Sequence, residues 1–278
     1  MNRILILFLC VTLGLSASAA TVDTVETYSN SMKKVIKAVI ITPDGYDDSE
    51  ALPVLYLLHG YSGNYADWVK LAKDLPAYAD QYNLIIVCPD GGFGSWYFDS
   101  PEDPAFRYET YVAKELVSWV DKEYKTLARP EGRAITGLSM GGHGALYLAF
   151  RHQDVFGAAG SMSGGVDIRP FPNNWDLSKR LGSYAENPAA WDENTVVNMV
   201  HLLRPGGLAL IIDCGTHDFF YEVNRKLHQE LKYRNIPHDF ISRPGAHNWE
   251  YWQNAVKYQL LFFHEFFRSK ETAAAVKK

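Results

Sequence analysis

The sequence predicts an α/β fold with a mostly parallel central sheet and helices on both faces. Short apolar runs alternate along the chain with longer segments of helical periodicity, which is the pattern of parallel strands joined by crossover helices. Several of these runs are continuously apolar, as expected of strands covered on both faces. A hydrophobic content of 47% is ample for one large core.

The strands and helices can be assigned in order from these periodicities. Strands are predicted at residues 33–41, 53–58, 84–88, 157–163, 208–214 and 238–242, with one more directly before Ser139. Helices are predicted at residues 67–82, 108–124, 220–234 and 248–268, with one more directly after Ser139. Pro76 disfavours helix in the middle of the first of these. Residues 164–200, rich in aromatic residues, Asn and Pro, have no sheet pattern and are predicted to form an insertion over the active face. Residues 270–278 are expected to fray.

Residues 1–20 have the three-part pattern of a secretory signal peptide. Arg3 precedes an apolar run at residues 4–15, and small residues with an A-x-A-like exit follow at 16–20. The apolar run is too short to span a bilayer comfortably. We therefore predict a signal peptide over residues 1–20, a single mature domain over residues 21–278, and a secreted or periplasmic location. No stable membrane insertion is expected after cleavage.

Charge and cysteine content exclude several classes of function. The formal net charge is −5 at pH 7, and loss of Arg3 with the signal peptide makes the mature chain one unit more negative. We expect neither nucleic acid nor anionic membrane as a partner. The two remaining cysteines, Cys88 and Cys214, each end an apolar run and are predicted to be buried free thiols rather than a disulfide.

The segment around Ser139 carries the strongest chemical signal. Gly137-Leu138-Ser139-Met140-Gly141 fits the pattern G-x-S-x-G, in which a serine sits on a sharp turn between a strand and a helix. Glycines are needed two residues to either side because side chains would collide in such a turn. The following helix directs its N-terminal amides towards the position where a negative oxygen forms. Ser139 is therefore the candidate nucleophile.

A serine nucleophile needs a base, and the base needs a carboxylate that orients it. In this architecture the expected chain order is serine, acid, histidine. Asp218 follows the strand at 208–214, and His247 follows the strand at 238–242, so both lie at the same sheet edge as Ser139. Asp213 competes for the acid, but it lies inside a strand and would point into a helix-covered face. His217 competes for the base, but it precedes the last strand.

Two backbone amides are expected to stabilise the oxyanion. One belongs to Met140, the residue after the nucleophile, and we assign the other to Tyr61 in the loop after the strand at 53–58. The histidines show no spacing typical of metal ligands, so we predict no metal site.

Four stretches together resemble the esterase D family of α/β-hydrolases: His59-Gly60 and residues 137–144, 214–218 and 245–252. Residues 94–97 and 108–111 are also similar to its pattern, and the resemblance extends over residues 33–267. This family includes S-formylglutathione hydrolases, tributyrin-type esterases, feruloyl and acetyl-xylan esterases, and mycolyltransferases of the antigen 85 type. The resemblance implies an α/β-hydrolase fold, a triad of Ser139, Asp218 and His247, oxyanion amides at Tyr61 and Met140, and no cofactor.

The resemblance leaves the substrate open, and three hypotheses follow. The first is a secreted serine carboxylesterase acting on carbohydrate-linked acetyl or feruloyl groups, because secretion argues against a cytosolic thioester such as S-formylglutathione. Trp96, Tyr97, Trp175 and Trp249 are then candidates for stacking on a sugar or feruloyl ring. The second is a general short-chain acyl esterase, an enzyme similar to S-formylglutathione hydrolase, or an acyltransferase with a sugar acceptor. The third is a carbohydrate-binding pseudoenzyme.

Overall fold

The computed structural model of the chain describes residues 19–276. Within them, eight strands form a single sheet. The strands are β1 (Thr21–Ser29), β2 (Lys34–Thr42), β3 (Val54–Leu58), β4 (Ile85–Pro89), β5 (Arg133–Gly137), β6 (Ala158–Met162), β7 (Ala209–Gly215) and β8 (Asp239–Arg243). The helices are α1 (Asp67–Leu71), α2 (Leu75–Tyr82), α3 (Tyr108–Thr110), α4 (Val117–Glu123), α5 (Met140–Arg151), α6 (Leu177–Leu181), α7 (Pro188–Glu193), α8 (Tyr221–Tyr233) and α9 (Trp249–Val276). A π-helical turn (Tyr111–Leu116) joins α3 to α4, and short 3₁₀ turns lie at Pro130–Gly132 and Val196–Leu202.

The sheet order is β1-β2-β4-β3-β5-β6-β7-β8. β1 and β2 pair antiparallel, as do β2 and β4, whereas all strands from β4 to β8 run parallel. The pairing of Leu58 with Gly137 sets the carboxyl ends of β3 and β5 level with each other. The pairing of Gly215 with Arg243 does the same for β7 and β8. Loops from four parallel strands therefore meet at one edge of the sheet, where ligands bind in such folds.

The core has two layers, one on each face of the sheet. The larger cluster packs α4, α5 and α8 against one face, and the other cluster packs α1, α2 and α9 against the opposite face. Strands β3, β4, β5 and β6 are buried along their whole length, which explains the continuously apolar sequence of β3 and β4 and the many small residues of β5 and β6. The predicted α/β fold with helices on both faces is confirmed.

Three elements differ from the sequence predictions. The sequence predicted no strand at 21–29, yet β1 pairs along its full length with β2; as an edge strand with mostly exposed side chains it lacks an apolar run. The helix predicted at 67–82 is two helices, and Pro76 lies in the first turn of α2, where its missing N–H costs nothing. The last helix continues to Val276 instead of ending at Arg268.

Cys88 and Cys214 are buried free thiols, as predicted. In residues 164–200, the connection between β6 and β7 holds α6, α7 and a 3₁₀ turn but no strand. No helix in the described part of the chain is long and apolar enough to cross a membrane. The predicted signal peptide at residues 1–20 lies almost entirely outside the described residues.

Candidate active site

Ser139 sits on a strained turn between β5 and α5. Its backbone has φ 55° and ψ −117°, a region that costs a non-glycine residue about 1–3 kcal/mol and persists only when the surroundings enforce it. Here the Ser139 N–H donates to the Met162 carbonyl at 2.9 Å, and the His143 N–H donates to the Ser139 carbonyl at 3.0 Å. The turn is therefore held from β6 on one side and by the first turn of α5 on the other.

The flanking glycines are sterically required. A Cβ on Gly137 would lie 2.7 Å from the Leu58 carbonyl oxygen, and a Cβ on Gly141 would lie 2.5 Å from that of His59. Both obstructing atoms are backbone, which cannot rotate away as a side chain can. The turn thus packs directly on the end of β3, and this explains the spacing of the motif.

Asp218, His247 and Ser139 form a continuous hydrogen-bonded chain. His247 Nε2 lies 2.8 Å from Ser139 Oγ. On the other side of the ring, His247 Nδ1 lies 2.8 Å from Asp218 Oδ2 and 3.0 Å from Oδ1. The Asp218 side chain is fully buried, whereas that of His247 is 15% exposed. This arrangement can relay a proton between the hydroxyl and a bound substrate while the carboxylate fixes the imidazole tautomer.

The competing carboxylate lies elsewhere. Asp213 is fully buried in β7, where its two oxygens accept from the Tyr251 hydroxyl and the Arg243 guanidinium. Burial raises the pKa of Asp213 to about 6, against the opposing influence of these two partners. Tyr251 belongs to α9, so the carboxylate faces the helix-covered side. His217, the competing base, is exposed at the surface, and its backbone N–H donates to the Gly245 carbonyl.

The loop after β3 runs beside Ser139. A Cβ on Gly60 would lie 3.4 Å from that of Ser139 and 2.6 Å from Leu138 Cδ1, so a larger residue here would have to displace the Leu138 side chain. Within the described chain, neither the Tyr61 N–H nor the Met140 N–H donates to another protein group. Both amides are thus available to an oxygen bound next to Ser139.

Buried groups hold this loop in place. The Gly91 N–H donates to His59 Nε2 at 2.7 Å, so the imidazole proton is on Nδ1, which donates to the Gly60 carbonyl at 2.8 Å. The Tyr97 hydroxyl donates to the His59 carbonyl at 3.1 Å. A Cβ on Gly91 or on Gly144 would lie within 2.4 Å of the Tyr97 ring, which fills the space between the two glycines. The backbone that presents the Tyr61 amide is therefore held by hydrogen bonds to buried groups.

This anchoring role corrects part of the sequence prediction. Trp96 and Tyr97 were expected to contact substrate, but they are 1% and 0% exposed and pack in the core. The Trp96 indole N–H donates to the Trp175 carbonyl at 3.0 Å. As placed, neither ring can touch a substrate. Trp175 and Trp249, the other two candidates, do line the cavity at Ser139.

The cavity at Ser139 has a volume of about 190 Å³. Five of the residues that line it are aromatic, and Gly60, Gly63 and Asp67, which follow β3 in the chain, lie beside them. Its lining includes Gly60, Tyr61, Ser139, Trp175, Phe219, His247, Trp249 and Trp252. Sequence reasoning missed Phe219 and Trp252. The position of Phe219, directly after the candidate acid in a loop at a strand end, is the signal that could have identified it.

No group of three or more His, Cys, Asp or Glu side chains within residues 19–276 is arranged to hold a metal ion. The hydrogen-bonded chain at Ser139 has the three groups that acyl transfer requires: a hydroxyl, a base and an orienting carboxylate.

Comparison with known proteins assigns the chain to a family. The family model described as "Putative esterase" matches residues 29–263. An acetyl esterase of Caldicellulosiruptor saccharolyticus is 28% identical over 255 residues, covering 82% of this chain and 92% of that protein. An esterase of Mycobacterium tuberculosis is 30% identical over 242 residues, covering 75% of this chain and 51% of that protein, so the chain spans about half of its length.

Comparison with solved structures agrees with the family match. A solved structure of a ferulic acid esterase superposes with a TM-score of 0.78 and 28% identity, covering 90% of this chain and 99% of that one. The family match extends over most of the chain, and the superposition includes nearly the whole of the solved esterase. The chain therefore belongs to the esterase family, has the α/β-hydrolase fold and is a carboxylic ester hydrolase.

Proposed function

We propose that the chain is a secreted serine esterase that removes short acyl groups from carbohydrates, with Ser139, His247 and Asp218 as its catalytic triad. The observation that carries the proposal is the 2.8 Å contact between Ser139 Oγ and His247 Nε2, in a ring held by Asp218. These groups lie in an aromatic-walled cavity at the edge of the sheet where ligands bind in this fold.

In the acylation step, Ser139 Oγ attacks the ester carbonyl as His247 Nε2 takes its proton. The carbonyl oxygen becomes an oxyanion, which accepts hydrogen bonds from the Tyr61 and Met140 amides. The bond from carbon to the alcohol oxygen then breaks, and His247 gives its proton to that oxygen. Asp218 stabilises the imidazolium through Nδ1 while the proton is held.

In the deacylation step, water takes the place of the alcohol. His247 removes a proton from the water, the resulting hydroxide attacks the acyl carbon, and the same two amides stabilise the second oxyanion. Return of the proton to Ser139 Oγ releases the free acid. No cofactor takes part in either step.

Two observations support a short acyl group on a sugar. The cavity volume of about 190 Å³ is below the range of about 300–1,000 Å³ that is usual for larger ligands, which favours acetyl over feruloyl. Aromatic walls suit the apolar face of a sugar ring. The names of two relatives, an acetyl esterase and a ferulic acid esterase, are consistent with such substrates. The leader pattern at residues 1–20 supports export.

The triad is tested with Ser139→Ala. We expect ester hydrolysis to fall by several orders of magnitude with an unchanged thermal midpoint, because Ala removes only the hydroxyl. Ser269→Ala, at an exposed site in α9, is the matched control and should retain full activity. Retained hydrolysis by the Ser139 variant would refute the assignment.

Substrate class is tested with initial rates on aryl acetate, aryl butyrate, methyl ferulate and acetylated xylan. Turnover of acetylated xylan at least comparable to aryl acetate supports the carbohydrate proposal. Turnover of the aryl esters alone would instead make the chain a general short-chain acyl esterase, which the small cavity also accommodates. Adding an acceptor sugar and analysing products distinguishes hydrolysis from acyl transfer.

A further inference from the structure

The position of His247 defines where the alcohol half of the ester must lie. In the proposed mechanism His247 Nε2 delivers its proton to the leaving oxygen, which must therefore come within about 3 Å of that nitrogen. The carbonyl oxygen is directed to the Tyr61 and Met140 amides instead. The alcohol half of the ester therefore lies next to the His247 ring and the cavity side chains that pack on it.

Of the two cavity aromatics that pack on the His247 ring, Trp252 is buried, with its ring centroid 4.9 Å from that of His247, and Phe219 is the exposed one. Its ring centroid lies 4.2 Å from that of His247, and the side chain is 52% exposed although it is apolar. The next residue, Phe220, is buried and anchors the loop, so Phe219 is held at the rim beside the triad acid. An exposed phenyl ring against the catalytic base is surface that a bound alcohol would cover.

Trp175 extends this surface. Its ring is stacked on Phe219 with centroids 5.6 Å apart and an interplanar angle of 17°. Trp175 and Asp176 have φ of 49° and 57°, two consecutive left-handed residues that each cost about 1 kcal/mol or more. Asp176 is fixed by the Tyr61 hydroxyl at 3.3 Å and by Lys179 at 2.9 Å. A strained backbone held by polar contacts presents the indole to Phe219.

We propose that Phe219 and Trp175 form the alcohol-binding subsite of the enzyme, an apolar wall that receives the face of a pyranose ring while His247 protonates its ester oxygen. This inference rests on the proposed function for the triad and for carbohydrate substrates. It assigns substrate discrimination to the leaving group, because Phe219 packs on the ring of His247, which protonates the alcohol oxygen. Alcohols without a ring gain nothing from it.

The experiment compares Phe219→Ala and Trp175→Ala with the wild type on three acetyl esters that differ only in the alcohol. These are methyl acetate, an aryl acetate and an acetylated methyl xyloside. We expect kcat/KM to fall about tenfold for the two ring-bearing alcohols and less than about twofold for methyl acetate. A butyrate of the same aryl alcohol should show the same factor as the acetate. Tyr233→Ala, an 85% exposed aromatic in α8, is the control and should leave all rates unchanged.

The outcomes separate two kinds of failure. An equal loss on all three acetates would mean that Phe219 only positions the His247 ring. A loss that differs between the aryl acetate and the aryl butyrate would mean that the two rings contact the acyl group. Either result would overturn the inference. Phe219→Leu keeps an apolar side chain against His247, and it tests whether Phe219 only positions that ring if Phe219→Ala is unstable. Wild-type turnover of aryl acetate without turnover of the xyloside would refute the carbohydrate proposal, while the comparison of aryl with methyl acetate would still test the wall.

Discussion

Replacing Asp218 with Asn should reverse the tautomer of His247. Asp218 Oδ1 accepts the Phe220 N–H at 2.8 Å, in addition to its contact with His247 Nδ1. An Asn at this position keeps the Phe220 hydrogen bond on its oxygen and turns its NH₂ towards Nδ1. Because NH₂ only donates, the ring must then accept at Nδ1 and carry its proton on Nε2. The Nε2 proton faces Ser139 Oγ, so the base can no longer take the hydroxyl proton.

The same substitution in the serine protease triad lowers kcat by about 10⁴-fold while the geometry stays intact. Since the two hydrogen-bonding patterns are alike, we expect a loss of about 10⁴-fold here, or about 5.4 kcal/mol of transition-state stabilisation at about 1.36 kcal/mol per tenfold. The assay is the initial rate on an aryl acetate at neutral pH, with the thermal midpoint measured on the same samples. KM should change little, because Asp218 is buried behind the ring.

Asp213→Asn is the matched control for this prediction. Asp213 was the alternative candidate for the acid and is also buried, but it contacts Arg243 and Tyr251 rather than His247. We expect a lower thermal midpoint, because removing one partner of a buried ion pair is destabilising, with less than about tenfold loss of kcat. A small loss for Asp218→Asn together with a large one for Asp213→Asn would refute the assignment of the acid.

Two further predictions concern stability and the serine turn. Burial alone would raise the pKa of Glu109, but hydrogen bonds from His152, Tyr147 and Arg151 lower it from 4.5 to about 2. Glu109 therefore contributes up to about 3 kcal/mol that is fully present above about pH 4.5 and is lost as the pH falls through about 2. Denaturant titrations should show the gap between wild type and Glu109→Gln shrinking over this range; a constant gap would contradict it. Gly137→Ala places its Cβ 2.7 Å from backbone atoms, and we expect about a 100-fold loss of kcat through the displaced serine. Gly45→Ala, with positive φ but no atom within 4 Å, should lose stability and keep its activity; equal losses of activity would contradict the steric argument.

The sequence predicted the elements that depend on local pattern. Continuous apolar runs predict β3 and β4 because both faces of these strands are buried. β5 was predicted from its place before the serine motif, and β6 from its small residues. β1 was missed because an edge strand needs only its pairing partner and carries few buried side chains. Chain order and strand ends were enough to predict that Ser139, Asp218 and His247 would lie close together, since parallel strands end at the same edge.

Which aromatic rings face the substrate could not be predicted in the same way. Tyr97 is buried because Gly91 and Gly144, far apart in sequence, leave a space that its ring fills. Phe219 is exposed because its neighbour Phe220 occupies the core position instead. Both outcomes are set by tertiary packing, and an aromatic side chain carries no mark in the sequence that separates the two environments.

The pair Trp175 and Asp176 connects the two halves of the site. Trp175 stacks on Phe219, next to the triad acid, and Asp176 accepts the Tyr61 hydroxyl, next to a proposed oxyanion amide. In the proposed mechanism the Tyr61 amide stabilises the oxyanion formed from the acyl carbonyl, whereas Phe219 contacts the alcohol. Because one strained dipeptide contacts both, a change that displaces its backbone should alter alcohol preference and oxyanion stabilisation together, whereas removal of the Trp175 ring alone leaves the Asp176 contact in place. If the proposed subsite is correct, we expect substitutions in the segment at 164–200 to change substrate preference while β5, α5 and the proposed triad stay fixed.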